Sequence, residues 1–212
     1  MPRFSRFSII IPAHNSSGYI IKALESIKQQ TFKDYELIVP CDSCTDNTEE
    51  IAQAYGALTK AVNYGRDGLT RNAGLDMASG EYVLFMDDDD WFLHEFVLSQ
   101  IDKKLTQEKG PDLLCFSFIW KGVIYAEPLS NMGQLFPSVW NKCWKRAYIG
   151  NTRFTGVYSI SDSYFHKEMM AKPHSQFIWD MPMYYYNYLR KGSISDEMGR
   201  TYDGTRKYWE NH

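Results

Sequence analysis

Apolar residues along the 212-residue chain follow two alternating rhythms. FSIIIP (7–12) is an unbroken apolar, β-branched run stopped by a proline, the pattern of a strand covered on both faces of a parallel sheet. In YIIKALESIKQQ, residues Ile20, Ala23, Leu24 and Ile27 recur at helical spacing and predict an amphipathic helix. ELIVP (36–40) predicts a second short strand. NTEEIAQAYG places Asn47 three residues ahead of Glu50, a capping-box spacing, with Gly56 suited to the far end of the helix. A third strand is expected over LTKAV (58–62), a helix over LTRNAGLDMAS (69–79) stopped by Gly80, and a fourth strand over EYVLFM (81–86).

Strands alternating with helices predict an α/β fold: a Rossmann-like, doubly wound, mostly parallel sheet with helices on both faces and right-handed crossovers. Ligands of such sheets sit beyond the carboxyl ends of the strands. AHN after the first strand, CDSC after the second and DDDD after the fourth all fall there, so three polar clusters are expected to converge on one crevice. Further on, Leu93, Phe96, Val97, Ile101 and Leu105 mark another helix, and DLLCFSFIW with VIYAE reads as a hairpin or a pair of strands. In the Tyr- and Trp-rich remainder a helix is expected near 163–172 and a strand at PMYYYNY (182–188).

At 44% hydrophobic and 23% charged residues, the chain can bury a full core and is expected to form one domain over 1–212. A net charge of −3 argues against a nucleic-acid partner. From residue 141 onward there are 11 basic against 7 acidic residues. That imbalance reads first as an uneven solvated surface and second as a surface for peripheral membrane contact. Cys41, Cys44, Cys115 and Cys143, without a signal-peptide pattern, suggest a reducing, cytoplasmic setting, and no run of 18 apolar residues is present to span a membrane. Oligomeric state is not legible.

Four adjacent carboxylates in FMDDDDW repel one another, and partial burial sharpens the repulsion. A hard divalent cation, Mn²⁺ or Mg²⁺, resolves this, and it accepts one or two protein carboxylates alongside water and substrate phosphate. Strand alternation would turn Asp87 and Asp89 to one side and Asp88 and Asp90 elsewhere. The competing reading, a solvated acidic turn, loses ground at the carboxyl end of a core strand.

The segments SIIIPAHN, SIKQQTFKDYELIV, DSCTDNTEEIA, TRNAGLDMASGEYVLFMDDDDW, VWNKCWKR and SDSYF occur in an order and spacing that resembles the family 2 glycosyltransferases, inverting enzymes of the GT-A fold. The resemblance covers about residues 7–165, with GSIS (192–195) as a weaker match. It implies a donor-binding half over 1–110 and an acceptor-binding half over 111–212. It further implies a metal-dependent transferase that moves a sugar from a nucleotide-diphosphate sugar, a UDP-sugar first, to a hydroxyl of a glycan or lipid-linked acceptor.

By that resemblance, Pro12, Ala13, His14 and Asn15 line the nucleotide pocket, with the imidazole of His14 stacking on the base. Asp42 accepts from the base imide, which favours uracil. Arg71 of the Arg71–Asn72 pair approaches the pyrophosphate. Asp87 and Asp89 are the outer acids of a DxD motif and hold the metal, while Asp88 faces the donor ribose or sugar. Asp162 is the general base that takes the acceptor's proton; as a plain reading it is a helix N-cap. Trp140, Asn141 and Lys142 lie near donor phosphates or acceptor, and His166, one turn after Asp162, is a candidate metal or phosphate contact. Tyr184, Tyr185, Tyr186 and Tyr188 read as core aromatics or as a sugar-stacking platform.

Three departures from the family pattern stand out. Cys41 precedes Asp42 where an acid is usual, Cys44 replaces serine, and Ser161 stands where glutamate precedes the base. Losing that like charge is expected to lower the Asp162 pKa. CDSC as a redox or zinc site lacks a second CxxC and a nearby histidine. Two other functions are weighed: a catalytically inactive nucleotide- or glycan-binding module, and a sugar-phosphate nucleotidyltransferase, for which the loop AHNSSG lacks the glycine-rich, basic character.

Overall fold

A computed structural model of the chain describes residues 5–126, 135–157 and 160–187. Its elements, in chain order, are β1 (Phe7–Ile10), α1 (Ile20–Lys28), β2 (Tyr35–Asp42), α2 (Thr48–Ala54), β3 (Leu58–Val62), α3 (Asp67–Met77), β4 (Tyr82–Phe85), β5 (Trp91–Phe92), α4 (Val97–Gln107), β6 (Leu113–Trp120), β7 (Val123–Tyr125), β8 (Lys142–Lys145), α5 (Arg146–Ile149), α6 (Ser161–Met170) and β9 (Gln176–Tyr186).

One sheet runs in the order β3-β2-β1-β4-β8-β6-β9-β5, with β7 paired to β6. β3, β2, β1 and β4 are mutually parallel, as the alternation of strands and helices predicts. Beyond β4 the sheet becomes mixed: β8 is antiparallel to both β4 and β6, whereas β9 runs parallel to β6.

The unbroken apolar strands are explained by burial on both faces. Phe7, Ile9, Leu37, Val39, Tyr82 and Leu84 pack on one side with Ile20, Ala23, Leu24 and Ile27 of α1, Ala52 of α2 and Val97, Leu98 and Ile101 of α4. Ile10, Ile38, Val83 and Phe85 pack on the other with Leu75 of α3, Ile149 of α5 and Phe165 and Met169 of α6. Each such side chain, fully buried, contributes roughly 1.5–3 kcal/mol. The two faces thus fix which way every helix returns, and α3 and α6 end up side by side over the same face.

Several local expectations are corrected. Asn47 makes no capping hydrogen bond; Asp46 instead accepts from the Thr48 amide at 3.1 Å and the Thr48 hydroxyl at 2.5 Å. α3 begins two residues earlier than read, at Asp67, and ends at Met77. Gly80 is not its stop; a Cβ there would meet the Ser8 amide nitrogen at 2.6 Å, so the residue serves close approach to β1. β5 and β8 were not read as strands, and β9 is longer than expected because Gln176–Trp179 continue it. The β6–β7 hairpin forms, turning on Lys121 and Gly122, both at positive φ. Tyr188 and GSIS (192–195) lie outside the described residues.

Candidate active site

The loops after β1, β2 and β4 meet at the carboxyl ends of the parallel strands, as the sequence predicts. A parallel bridge between Ala13 and Cys41 continues the β1–β2 pairing past Pro12, with the Asp42 amide donating to the Ala13 carbonyl at 2.8 Å. His14 and Asn15 project from this bridge into solvent, while Pro12 is half-buried and Ala13 buried. Nδ1 of His14 lies 2.6 Å from the Asp42 carbonyl oxygen. A carbonyl only accepts, so Nδ1 carries the proton and the ring is held at a fixed angle. Asn15, at φ 47°, folds its side-chain oxygen back onto the Thr45 amide at 2.8 Å.

The structure gives Asp42 a full set of partners inside the protein. Its carboxylate accepts from the amides of Tyr64 (2.8 Å), Gly65 (3.1 Å) and Arg66 (3.2 Å) and from the hydroxyls of Ser43 (3.1 Å) and Thr70 (2.8 Å). Burial raises its pKa, but these donors outweigh burial and hold it below the usual carboxylate range. A carboxylate has about four lone-pair sites, so the Asp42 side chain is committed to the turn that launches α3.

The DDDD run does not continue β4; it forms a turn closed by the Asp90 amide donating to the Asp87 carbonyl at 3.2 Å. Burial still alternates, with Asp87 and Asp89 partly exposed and Asp88 and Asp90 buried. Asp88 accepts from the buried hydroxyl of Ser16, so it faces the loop before α1. Asp90 accepts from the Tyr184 hydroxyl at 2.6 Å and the Asn187 amide at 2.7 Å. Burial, then Asp87 and Asp89, push its pKa well above the usual range. Burial and the neighbouring acids thus oppose a full charge on Asp90.

Asp87 and Asp89 are the two carboxylates left partly open at the turn, and oxygen donors of that number and kind fit Mg²⁺ or Mn²⁺, which complete their shells with water and phosphate. Among the described residues no group of three or more His, Cys, Asp or Glu is assembled into a cage that would hold a metal by protein ligands alone.

Arg71 is the hub. Its side chain is 6% exposed and contacts three carboxylates: Nη1 to Asp67 at 2.7 Å, Nη2 to Asp87 at 2.7 Å, and Nη1 to Asp162 at 3.2 Å. Burial pushes against its charge, but Asp162, Asp87 and Asp67 outweigh burial and raise its pKa. Beside it, both ends of the Asn72 amide bond the Phe154 backbone, at 2.9 and 2.8 Å. Asp162 sits in the first turn of α6, with the Val139 amide as a donor. Burial raises its pKa to about 6; Arg71 pulls it down, while Asp87 and Asp67 push it up. Burial, rather than the residue at 161, sets the direction of the shift. Ser161 donates to Asp67 at 2.7 Å.

Trp140, Asn141, Lys142 and His166 are all buried. Trp140 is 5% exposed and stacks between Tyr184 (5.0 Å) and Tyr186 (4.9 Å). Lys142 is fully buried and donates to the carbonyls of Phe136 (2.6 Å) and Ser138 (2.9 Å) and to Asn141 Oδ1 (2.8 Å). Its ammonium shapes the loop before β8. His166 lies edge-on to Trp144, and burial, followed by Lys142 and His174, pushes its pKa down to about 3. Tyr184 follows the core reading, whereas Tyr185 is half-buried and stacks on Trp91 at 4.2 Å. Sequence reasoning missed Asp67, Thr70, Ser16 and the Asp90–Tyr184 pair. Asp67 carried a usable signal, standing four residues before Arg71 on one helix.

Comparison with known proteins agrees with this architecture. The sequence profile of the family described as "Glycosyl transferase family 2" matches residues 8–123. "Glycosyltransferase GlyA" of Streptococcus pneumoniae is 26% identical over 90% of this chain and 31% of its own length. Among solved structures, Staphylococcus aureus TarS 1-349 in complex with UDP-GlcNAc is 25% identical, with a TM-score of 0.77 over 90% of this chain and 60% of that one. Glucosyl-3-phosphoglycerate synthase from Mycobacterium tuberculosis, in complex with Mn²⁺, UDP and phosphoglyceric acid, shares the fold at 19% identity, with a TM-score of 0.70 over 92% of this chain and 74% of that one. The chain thus spans under a third of the length of GlyA.

Proposed function

The chain belongs to glycosyl transferase family 2, and from that premise we propose that it transfers a sugar, with inversion, from a UDP-sugar to a hydroxyl of a glycan or lipid-linked acceptor. One observation carries the reading: the buried Arg71 guanidinium bridges Asp87, at the carboxyl end of β4, to Asp162, at the start of α6. A cation for the leaving group and a base for the incoming one are thereby held one side chain apart. The UDP-GlcNAc complex of TarS, similar over 90% of this chain, supports the donor class.

In the proposed reaction the acceptor oxygen bonds to the anomeric carbon as the bond from that carbon to the diphosphate oxygen breaks. The acceptor's proton passes to Asp162, and the electron pair leaves with the diphosphate. With a pKa of about 6, Asp162 is ionised at neutral pH yet more basic than an ordinary aspartate. Arg71 offers its charge to the departing diphosphate. His14, its ring fixed by the Asp42 carbonyl, offers a flat face to the base. Asp87 and Asp89 would hold Mn²⁺ or Mg²⁺, and such an ion, when bound, neutralises charge on the diphosphate.

A second reading, a nucleotide- or glycan-binding module without turnover, is favoured by Ser161 in place of an acid and by the saturation of Asp42. Among the described residues no helix is long and apolar enough to cross a membrane; peripheral contact with one is part of the proposal for a lipid-linked acceptor. Release of UDP from a panel of UDP-sugars, with Mn²⁺ and with or without saccharide and lipid-linked acceptors, tests the reading. Release that rises with an acceptor is expected. UDP binding without release in any combination favours the module, and no UDP binding at all contradicts both.

A further inference from the structure

Asp67 Oδ2 takes two hydrogen bonds at 2.7 Å, one from Arg71 Nη1 in its own helix and one from Ser161 Oγ at the start of α6. The same nitrogen of Arg71 lies 3.2 Å from Asp162 Oδ1. That contact is an ion pair only: Asp162 Oδ1 is buried and has no hydrogen-bond partner. Nη1 carries two N–H groups: one is given to Asp67, and the other makes no hydrogen bond to Asp162.

Packing fixes this arrangement. Gly68 brings α3 so close to the α6 side that a Cβ on it would meet the Thr155 carbonyl oxygen at 2.6 Å and Ser161 Cβ at 2.8 Å. One turn later, Asn72 is tied both ways to the Phe154 backbone. The start of α6 cannot move away from α3 without breaking these contacts, so the carboxylate nearest Arg71 Nη1 decides how far Asp162 is engaged.

We propose that Asp67 is a positioning residue of the transferase site: it orients Arg71 Nη1 and anchors Ser161, and so leaves the buried Asp162 Oδ1 without a hydrogen bond and the carboxylate a stronger base toward the acceptor hydroxyl. This rests on the function proposed above. The groups facing Asp162 are Arg71 and Asp67 from α3, Asp87 from the turn after β4, and the Val139 amide. Without Asp67, Arg71 Nη1 is expected to close a hydrogen bond to Asp162 and weaken it as a base.

The test is Asp67→Asn, nearly isosteric, in the full chain. The expected result is a kcat lower by about tenfold with a donor KM within about threefold of wild type, and an acid limb of the pH–kcat profile moved toward lower pH. Restoring the carboxylate from the other helix, in Asp67→Ser combined with Ser161→Glu, is expected to return kcat to within about threefold of wild type. If Asp67→Asn does not fold, Ser161→Ala, which removes only the hydroxyl of the anchor, is measured in the same way. Unchanged kcat and pH profile alongside a lower Tm make Asp67 merely structural and overturn the inference, as does a double variant no better than Asp67→Ser alone. Side-chain ¹⁵N resonances of Arg71 separate this inference from the reading beneath it. They are expected to be restrained in wild type and altered in Asp67→Asn even if no sugar is ever transferred, and resonances indifferent to Asp67→Asn overturn the tie itself.

Discussion

Replacing Asp162 by asparagine is expected to make the protein more stable above pH 6 while removing its turnover. The carboxyl pKa rises from the ordinary 3.8 to about 6, chiefly through burial. Folding therefore favours the protonated form, and the penalty for ionisation is absent below about pH 4, grows between 4 and 6, and is complete above. About two pKa units correspond to roughly 3 kcal/mol at about 1.36 kcal/mol per unit. The side chain is 23% exposed, so solvent screens part of this, and a gain of about 1–2 kcal/mol is expected for the neutral isostere at pH 7.5. For a chain of this length that raises Tm by about 2–8 °C. Calorimetric scans at pH 4 and 7.5 measure it, and turnover at pH 7.5 should fall by about 10²–10⁴. A stability gap of equal size at both pH values, or a variant less stable than wild type at pH 7.5, would refute the reasoning, because it would mean that Arg71 outweighs burial.

Arg71→Lys keeps the charge but cannot span Asp67, Asp87 and Asp162 from one planar group, so kcat/KM for the donor is expected to fall by about 10² or more in steady-state assays. Asp42→Asn turns an amide NH₂ toward donors that need acceptors; chemical denaturation should show a loss of about 1–3 kcal/mol at pH 7. The lowered Asp42 pKa means that this difference is present above pH 4 and shrinks as pH falls through the folded value. Gly68→Ala forces a methyl against the Thr155 carbonyl and Ser161, and is expected to cost about 1–3 kcal/mol and to lower kcat by displacing the start of α6.

The parallel half of the sheet was legible because β1, β2 and β4 are buried on both faces and the helices packed on them carry their apolar stripe on one. Ile20, Ala23, Leu24 and Ile27 show the rule, all facing the sheet as their spacing predicts. β8 was illegible for the opposite reason. Its residues Lys142–Lys145 begin with a lysine that is buried only because two carbonyls and an amide happen to surround it. Polar residues that satisfy one another in three dimensions leave no periodic trace. The same holds in the site: the position of Asp162 could be matched by pattern, but its raised pKa depends on burial between α3 and α6, which no local window encodes. Asp42 looked available because its five donors come from residues 43 and 64–70, which only the fold wraps around it. The burial of Asp90 was hidden because its partner, Tyr184, stands 94 residues away.

Titration calorimetry of UDP into the wild-type chain and Asp89→Asn, each with and without Mn²⁺, reaches the central claim most directly. UDP binding that strengthens by about tenfold or more with Mn²⁺ in wild type, and loses that gain in Asp89→Asn, is the predicted outcome. Binding of equal strength with and without the ion, or a gain that survives in Asp89→Asn, would contradict the assignment of the open acids at the β4 turn to the donor's metal.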